Sequence, residues 1–379
     1  RMGERLGLSP EQLNAVVANL QRYMHDLNSM VSFADIARSH IGSRVGAEAS
    51  TPGEAPAAVT DQAAPYAIAH ISHRDEIAAV IEARESAVSL RDRYGGKGSS
   101  LLYISYLNVP TRDGFIIPTD LPRADVHRRD PQRLRREIAD HLATLERDIA
   151  AHSGVPTRFG DPAEPLLLAV RGGSVFSMPG MLTTVVFVGM NDAIAEALAT
   201  DGPWHAWDSY RRFLASYAAA VWGFNFESLS LVDDAKRRFG VRYKQDLPAE
   251  AMREIALSSK EALREAGLGD QLDRVLGDPM EQLHGAVEAV FASWEAENVR
   301  RYREIKGICH TWHSAAIVQE MAFGNRVNPQ IGPDMDETSA SLTGVIPRTR
   351  LSDRGQRVLE GEFKFSAAGD DLVAGVTSS

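Results

Sequence analysis

The sequence of 379 residues is poor in cysteine and lysine and lacks long apolar runs. Cys309 is alone, which excludes a disulfide framework and a cysteine zinc site and favours a reducing compartment, the cytoplasm. No apolar run approaches the roughly 20 residues of a membrane-spanning helix, so we expect no membrane association. A formal net charge of −10 argues against nucleic acid as a partner.

An arginine follows an apolar segment and opens a glycine-rich loop. Residues 166–170 read Leu-Leu-Leu-Ala-Val, which is typical of a buried strand, and Arg171 is followed by Gly172 and Gly173. Glycines let backbone N–H groups approach an anion, and each charge-assisted bond from the guanidinium contributes about 1.5–3 kcal/mol when water is excluded. The segment is consistent with a phosphate-binding loop. The alternative is a tight turn with a salt-bridged arginine.

A second glycine cluster contains one of the chain's few lysines. Gly95-Gly96-Lys97-Gly98 precedes the apolar residues 101–104, and this pattern predicts that Lys97 lies at the start of a helix. A helix N-terminus favours anions, and lysine adds a mobile positive charge. The spacing differs from that of a Walker P-loop, so the cluster indicates a phosphate site of another kind.

Several motifs occur in one order along the chain, and in this order they resemble the nucleotide-binding half of the pyruvate phosphate dikinase family. The resemblance covers roughly residues 90 to 379. The motifs are Gly-Gly-Lys-Gly at 95–98, Val-Arg-Gly-Gly and Ser-Met-Pro-Gly-Met within 170–181, Gly-Met-Asn-Asp at 189–192, Asp-Ser-Tyr-Arg-Arg-Phe at 208–213, Asp-Pro-Met-Glu-Gln-Leu at 278–283, Val-Gln-Glu-Met-Ala-Phe-Gly-Asn at 318–325 and Gly-Glu-Phe at 361–363.

The resemblance implies an α+β fold of the ATP-grasp type, a two-lobed nucleotide-binding fold with ATP between the lobes. The order of strand-like and helix-like segments adds a large helical insertion and an N-terminal helical extension. We therefore expect an extension at 1–47, a linker at 48–67, a first lobe at 68–202, a helical subdomain at 203–307 and a second, incomplete lobe at 308–379.

The same resemblance assigns roles to individual residues. It implies that Lys97 and Arg171 hold the ATP phosphates, together with Gly172 and Gly173. The segment Gln319, Glu320, Met321 and Ala322 passes the adenine and offers backbone groups to it. Glu362 and Asp370 are the carboxylates expected to face Mg²⁺, a cation that prefers oxygen ligands. Without the resemblance, a solvated strand face explains Glu362 and a turn explains residues 369–371.

Departures from the family pattern fall inside the motifs. Gly172 stands where the family usually has serine, Thr183 where it has aspartate, and Asp370 where it has glutamate. Arg-Thr-Arg-Leu at 348–351 replaces Thr-Arg-Asn-Pro, and Val-Thr-Ser at 376–378 replaces Arg-Thr-Pro. These differences put the phosphate geometry and the substrate in question.

The dikinases relay phosphate through a histidine in a Gly-Gly-x-Thr-Ser-His setting to a barrel domain that binds pyruvate. No histidine of this sequence lies in that setting, and we expect no room for the barrel. The expected function is therefore an ATP-dependent phosphotransferase component that phosphorylates a histidine on a separate domain or subunit, with pyruvate or an analogue as the acceptor. The chain is then a fragment or one subunit of a split system, as in the phenylphosphate synthase relatives. The alternative is a catalytically degenerate nucleotide-binding or scaffolding protein.

Two further features are open. His310 and His313 flank Trp312 at a helical spacing and could form a metal pair, although a packed or hydrogen-bonded role is favoured. Residues 9–41 carry an amphipathic helical pattern that could pack on the lobes, pair with another subunit or dock a partner, and packing on the lobes is slightly favoured.

Overall fold

A computed structural model of the chain describes residues 68–82, 87–120, 131–178, 180–308, 310, 312–323, 342–351 and 357–365. The described residues up to Met321 belong to one compact unit, the first unit, and those from Ala322 onward to a second unit. The expected extension at 1–47 and linker at 48–67 lie outside the described residues.

A five-stranded sheet with strand order β1-β2-β7-β5-β6 organises the first unit, and all of its strand pairs are antiparallel. β7 has an apolar sequence, Ala-Ala-Ile-Val, because neighbouring strands cover both of its edges and packed side chains cover both of its faces. The strands are Ala69–His70 (β1), Gly114–Ile117 (β2), Leu168–Gly173 (β5), Thr184–Val188 (β6) and Ala315–Glu320 (β7), beside a short parallel pair, Arg158–Phe159 (β3) and Pro165–Leu166 (β4).

Among the described residues, three helices precede β3: Arg74–Glu82 (α1), Ala87–Tyr106 (α2) and Pro131–Ser153 (α3). The helical spacing of Leu134, Ile138, Leu142 and Leu145 predicts α3, and all four side chains are buried, as expected for the core face of an amphipathic helix. α1 and α2 pack their apolar residues against the sheet in one cluster that includes Ile77, Leu90, Leu102, Ile116 and Ile317.

The segment 203–307 is almost wholly helical, as predicted. Gly240 and Gly267 follow helices there with φ of 66° and 80°, a conformation that favours glycine. The helices after β6 are Asp192–Ala199 (α4), Pro203–Tyr217 (α5), Leu231–Phe239 (α6), Ala249–Glu265 (α7), Gly269–Gly277 (α8), Pro279–Ser293 (α9) and Glu297–Lys306 (α10), with a π-helical turn at Ala218–Trp222 and 3₁₀ turns at Phe226–Leu229 and Lys244–Asp246.

The described strands of the second unit form an antiparallel pair, Leu342–Leu351 (β8) and Arg357–Phe365 (β9). Val345 lies opposite Glu362, and the register shifts between Val345 and Arg348.

The structure is α+β, as expected, but its division differs from the expected one at residue 308. β7 was expected in the second lobe, whereas it lies between β2 and β5 in the sheet of the first unit. An apolar strand of this kind suits the centre of a sheet in either lobe. Its place is decided by pairing with β5, about 150 residues away in the chain. Among the described residues, no helix is both long and apolar enough to cross a membrane.

Candidate functional site

The two glycine loops lie against each other. α2 is interrupted at Gly95, where φ is 70° and ψ is 171°, and the helix restarts after it, so Lys97 lies in a first helical turn as predicted. The Gly96 N–H donates to the Ser174 carbonyl at 2.8 Å. A Cβ at Gly95 would lie 2.3 Å from the Gly173 carbonyl oxygen, so glycine is required for this approach. One loop therefore ends β5, and the other opens the second half of α2 against it.

These loops bring Lys97 and Arg171 close together. The Lys97 Nζ is 3.5 Å from the Gly172 carbonyl oxygen, and neither cation forms an ion pair with a described residue. Burial, and then the Arg171 charge, lowers the pKa of Lys97, while burial lowers the pKa of Arg171. Two neighbouring cations without a counter-charge repel each other, so the arrangement favours an anion.

Gln319 of β7 orients the arginine. Its Oε1 accepts a hydrogen bond from an Nη of Arg171, and its Nε2 donates to the Arg112 carbonyl at 3.0 Å. The Arg171 Nε–H is buried and has no hydrogen-bond partner among the described residues. Because an unpaired buried donor costs about 1–3 kcal/mol, this N–H is available to a ligand that could satisfy it.

The rest of the segment expected to pass the adenine is partly engaged. The Glu320 N–H donates to the Asp113 carbonyl at 2.9 Å, and the Met321 N–H donates to the Leu167 carbonyl at 3.0 Å. The Glu320 carboxylate pairs with Arg112 at 3.2 Å. Two of the backbone donors that the resemblance assigned to the base are therefore used within the first unit.

A third cation, Arg91, was missed by the sequence reasoning. Its Nε donates to the Val175 carbonyl at 2.8 Å, and a Cβ at Gly96 would lie 3.7 Å from the same Nε. Burial lowers the pKa of Arg91. The signal available in the sequence was its position six residues before Lys97.

The Ser-Met-Pro-Gly stretch is anchored through its methionine. Met178 is buried with Trp294, Val299 and Ile308, whereas Ser177 is exposed. Pro179 lies outside the described residues. Phe176, Met181 and Leu182 pack against the same cluster, so apolar side chains attach the loop after β5 to the helical segment.

Neither of the two expected metal carboxylates, Glu362 and Asp370, is described within the first unit, which contains the phosphate loops. Glu362 is exposed on β9 of the second unit, and Asp370 lies outside the described residues. His310 accepts a hydrogen bond from an Nη of Arg303 at 3.2 Å, and the His313 ring lies 6.5 Å from that of Trp294. The two histidines of that pair thus have packing and hydrogen-bond partners.

No family model matches the chain. Among curated proteins, it is similar to pyruvate, phosphate dikinase of Clostridium symbiosum, with 34% identity over 302 residues, which is 78% of this chain and 32% of that protein. The enzyme of Rhizobium meliloti is 36% identical over 77% of the chain and 31% of its own length, and the chloroplastic pyruvate, phosphate dikinase 1 of Arabidopsis thaliana is 35% identical over 77% and 28%.

Over this stretch the chain is homologous to the pyruvate, phosphate dikinases. The predicted resemblance is confirmed. The chain spans about a third of the length of the curated relatives it matches.

Several motifs that carry this family resemblance are structural. Asp208, buried at the start of the Asp-Ser-Tyr-Arg-Arg-Phe motif, contacts Arg211, Arg212 and Lys244 at 2.7, 2.9 and 2.9 Å. Burial alone raises the pKa of Asp208, but these three charges outweigh it and hold the pKa well below its ordinary range. We call Asp208 and its three cations the Asp208 cluster.

Two other dikinase motifs cap and pin helices. Asn191 accepts from the Ile194 N–H at 2.9 Å and caps α4, and Asp278 accepts from the Met280 N–H at 2.9 Å and caps α9. The fully buried Gln282 donates to the Met190 and Val275 carbonyls at 2.9 and 2.8 Å. These hydrogen bonds give the two motifs a structural role.

The departure from the dikinase pattern at Gly172 has a packing explanation. A Cβ at Gly172 would lie 2.9 Å from the Leu182 Cβ and 3.1 Å from the Ser314 Oγ. Leu182 and Ser314 thus occupy the space that the family's serine side chain requires. The same strand end is held by the Gly172 N–H, which donates to the Thr183 carbonyl at 3.2 Å.

Proposed function

We propose that this chain is the ATP-binding component of a pyruvate, phosphate dikinase-like phosphotransferase with an ATP-grasp fold, and that it uses Mg-ATP to phosphorylate a histidine on a separate domain or subunit. One observation carries the proposal. Lys97 and Arg171 lie on glycine loops in backbone contact and have no ion-pair partner in the described ranges. Similarity to the pyruvate, phosphate dikinases supports the reaction class.

Lys97 and Arg171 hold the phosphates and act as the catalytic cations. The developing negative charge on a transferred phosphoryl group is stabilised by donors that are already in place, which is most of what this reaction requires of a protein. Gln319 keeps the Arg171 guanidinium in one orientation, and the unpaired Nε–H supplies a further donor. Gly172 and Gly173 allow close approach of the ligand to the backbone.

The segment from Gln319 to Ala322 passes the adenine. Since the Glu320 and Met321 N–H groups are engaged with Asp113 and Leu167, we assign base recognition to carbonyl groups of this segment and to the Ala322 N–H. Glu320 itself is held by Arg112. The assignment follows from the family pattern and from the engagement of these two N–H groups.

Glu362 and Asp370 are assigned to Mg²⁺, as the family resemblance implies. When bound, Mg²⁺ bridges phosphate oxygens and neutralises their charge. A carboxylate exposed on a strand, as Glu362 is, can meet such an ion without a large cost of desolvation. The partners are a phosphohistidine-carrying domain or subunit and, on another domain, a small acceptor of the pyruvate type.

Calorimetric titration with Mg²⁺ and a non-hydrolysable ATP analogue tests the binding step. We expect wild-type protein to bind, Lys97→Met and Glu362→Gln to bind at least about tenfold more weakly, and Lys236→Met to bind as wild type. Loss of one charge-assisted bond of about 1.5–3 kcal/mol accounts for a change of this size. Lys236 is the matched control because it is a partly exposed lysine paired with the exposed Asp233. A folded wild type that does not bind the analogue contradicts the proposal.

Phosphate transfer is tested separately with labelled ATP and the isolated histidine-bearing domain of a related dikinase. An acid-labile label on that histidine, absent with Lys97→Met, is the expected result. A second candidate is a nucleotide-binding protein without turnover, which the filled space beside Gly172 favours. Analogue binding without any transferred label supports this second candidate against the first.

A further inference from the structure

Three histidines and an aspartate meet at the edge of the sheet in the first unit. His70 lies in the edge strand β1, and His73 follows it just before α1. His141 and Asp148 are seven residues apart on α3 and therefore share one face of that helix. None of these residues belongs to the proposed nucleotide site.

Three of these side chains are spaced for a common ion. One ligand atom from each of His70, His73 and Asp148 lies within 4.8 Å of the others. His73 Nε2 is 3.0 Å and His70 Nδ1 is 3.8 Å from the same Oδ2 of Asp148. A tetrahedral zinc ion with bonds of about 2.0–2.2 Å places its ligands about 3.3 Å apart, so small movements suffice.

The buried His70 ring lacks a partner on the side that faces Asp148. Only 5% of the residue is exposed, and its Nε2 is 2.8 Å from the Nδ1 of His141. Its Nδ1 has no hydrogen-bond partner among the described residues. If Nε2 carries the proton, the Nδ1 lone pair faces a carboxylate and is repelled. If Nδ1 carries it, the nearest carboxylate oxygen at 3.8 Å is too far for a hydrogen bond. A cation between the two groups satisfies both.

The surrounding groups orient each ligand as metal ligands are oriented in proteins. His141 can accept from the His70 Nε2, and Glu76 Oε1 is 3.2 Å from the His73 Nδ1. The Ser72 hydroxyl donates to Asp148 Oδ2 at 2.8 Å. Each histidine therefore has one nitrogen held by a neighbour and the other directed at Asp148.

Burial favours the neutral form of His70. Burial lowers the pKa of His70 to about 4, with further lowering by His141, His73 and Arg147, while Asp148 acts in the opposite direction. A neutral imidazole is the form that binds a metal.

We propose that His70, His73 and Asp148 form a zinc-type divalent cation site that clips β1 and the start of α1 to α3. Two imidazole nitrogens and one carboxylate suit zinc, whereas magnesium prefers oxygen ligands and retained water. Three protein ligands leave a position for water. The site is independent of the proposed function, since it shares no residue with it.

The test is a titration of the chelator-stripped full chain with Zn²⁺ alone, followed by competition with a chromophoric chelator and by the visible spectrum of Co²⁺. We expect one ion per chain, a spectrum that shows nitrogen ligation, and a higher melting temperature with zinc. Magnesium at the same concentration should change none of these. Binding of magnesium in preference to zinc overturns the proposal.

Four variants locate the ion. Affinity should fall at least about 100-fold in Asp148→Asn and in His70→Gln, which keeps an atom in the place of Nε2 and loses Nδ1. It should also fall at least about 100-fold in His73→Asn, which keeps an atom in the place of Nδ1 and loses the Nε2 that faces Asp148. Glu76→Gln, at an exposed residue, is the variant least able to disturb folding and should weaken binding about tenfold by releasing His73.

His152→Gln is the matched control, since His152 is an exposed histidine on α3, the helix that carries Asp148. It should bind zinc as wild type does. Absence of stoichiometric binding in folded wild type overturns the proposal. Equal affinity in Glu76→Gln, Asp148→Asn and the control also overturns it, because it means that the ion lies elsewhere on the surface.

Discussion

Two groups of positive charge in the first unit have opposite surroundings. In the Asp208 cluster, one buried carboxylate holds three cations within 2.7–2.9 Å. Lys97 and Arg171 form no ion pair with a carboxylate of the described residues, and the Arg171 Nε–H has no hydrogen-bond partner among them. Both groups lie in motifs of the dikinase family. Compensated charge in the Asp208 cluster therefore stabilises the fold, whereas the uncompensated charge of Lys97 and Arg171 is suited to an anion.

The largest predicted change in stability comes from removing the Asp208 carboxylate. Asp208→Ala removes a buried carboxylate that pairs with Arg212 and Lys244, and we expect a loss of about 3–5 kcal/mol in the free energy of unfolding, measured by urea denaturation. The matched control is Asp233→Ala, which removes the exposed pair with Lys236 and should cost less than about 0.5 kcal/mol. Equal losses in the two variants contradict the prediction.

The same carboxylate determines a pH dependence. Because the folded-state pKa of Asp208 is depressed, its contribution is fully present above the unfolded pKa of about 3.9 and is lost as the pH falls further. The stability difference between wild type and Asp208→Asn should therefore shrink as the pH falls below about 4. A difference that does not change in this range means that the carboxylate is not preferentially charged in the folded protein.

Gly95→Ala tests the loop contact and should have the next largest effect. A φ of 70° with a ψ of 171° is strained for alanine by roughly 1–3 kcal/mol, and its Cβ would meet the Gly173 oxygen at 2.3 Å. We expect a loss of about 3 kcal/mol by urea denaturation, together with loss of analogue binding. Gly154→Ala has a similar φ of 71° and open space around it, so it should cost about 1 kcal/mol. A loss at Gly95 no larger than at Gly154 would show that the loops are not in tight contact.

Local sequence patterns predicted much of this arrangement. The spacing of Leu134 and Ile138 predicted α3, and the glycine loops predicted that Lys97 and Arg171 carry phosphate-binding character. The position of β7 and the contact of Gln319 with Arg171 depend on pairing between distant segments, which a local pattern does not encode. The sequence also could not show that the charges around Asp208 are compensated whereas those of Lys97 and Arg171 are not. Such compensation depends on residues from other segments, such as Lys244 beside Asp208.

Two lysine variants should change the free energy of unfolding by smaller amounts. Lys260→Met loses two bonds of 2.7 Å to Asp192, and we expect a loss of about 1–2 kcal/mol in unfolding free energy with analogue binding intact. Lys97→Met removes repulsion from Arg171, so stability should be unchanged or higher while analogue binding falls. Denaturation and calorimetry on both variants decide. Reversal of this pattern would mean that Lys97 is structural.

The smallest expected effect is an alkaline one on the Lys97 pair, because this lysine is partly exposed. Its folded-state pKa is lowered by burial and by Arg171, so between that pKa and the unfolded value of about 10.4 the unfolded chain binds more protons. Wild type should therefore gain stability relative to Lys97→Met as the pH rises toward the unfolded value. The phosphates of a bound ATP analogue should raise the pKa of Lys97 again and abolish this gain, which links the alkaline stability of the free protein to the ligand. Urea denaturation across this pH range, with and without analogue, measures both effects. An identical gain in the two conditions would mean that the ligand does not contact Lys97.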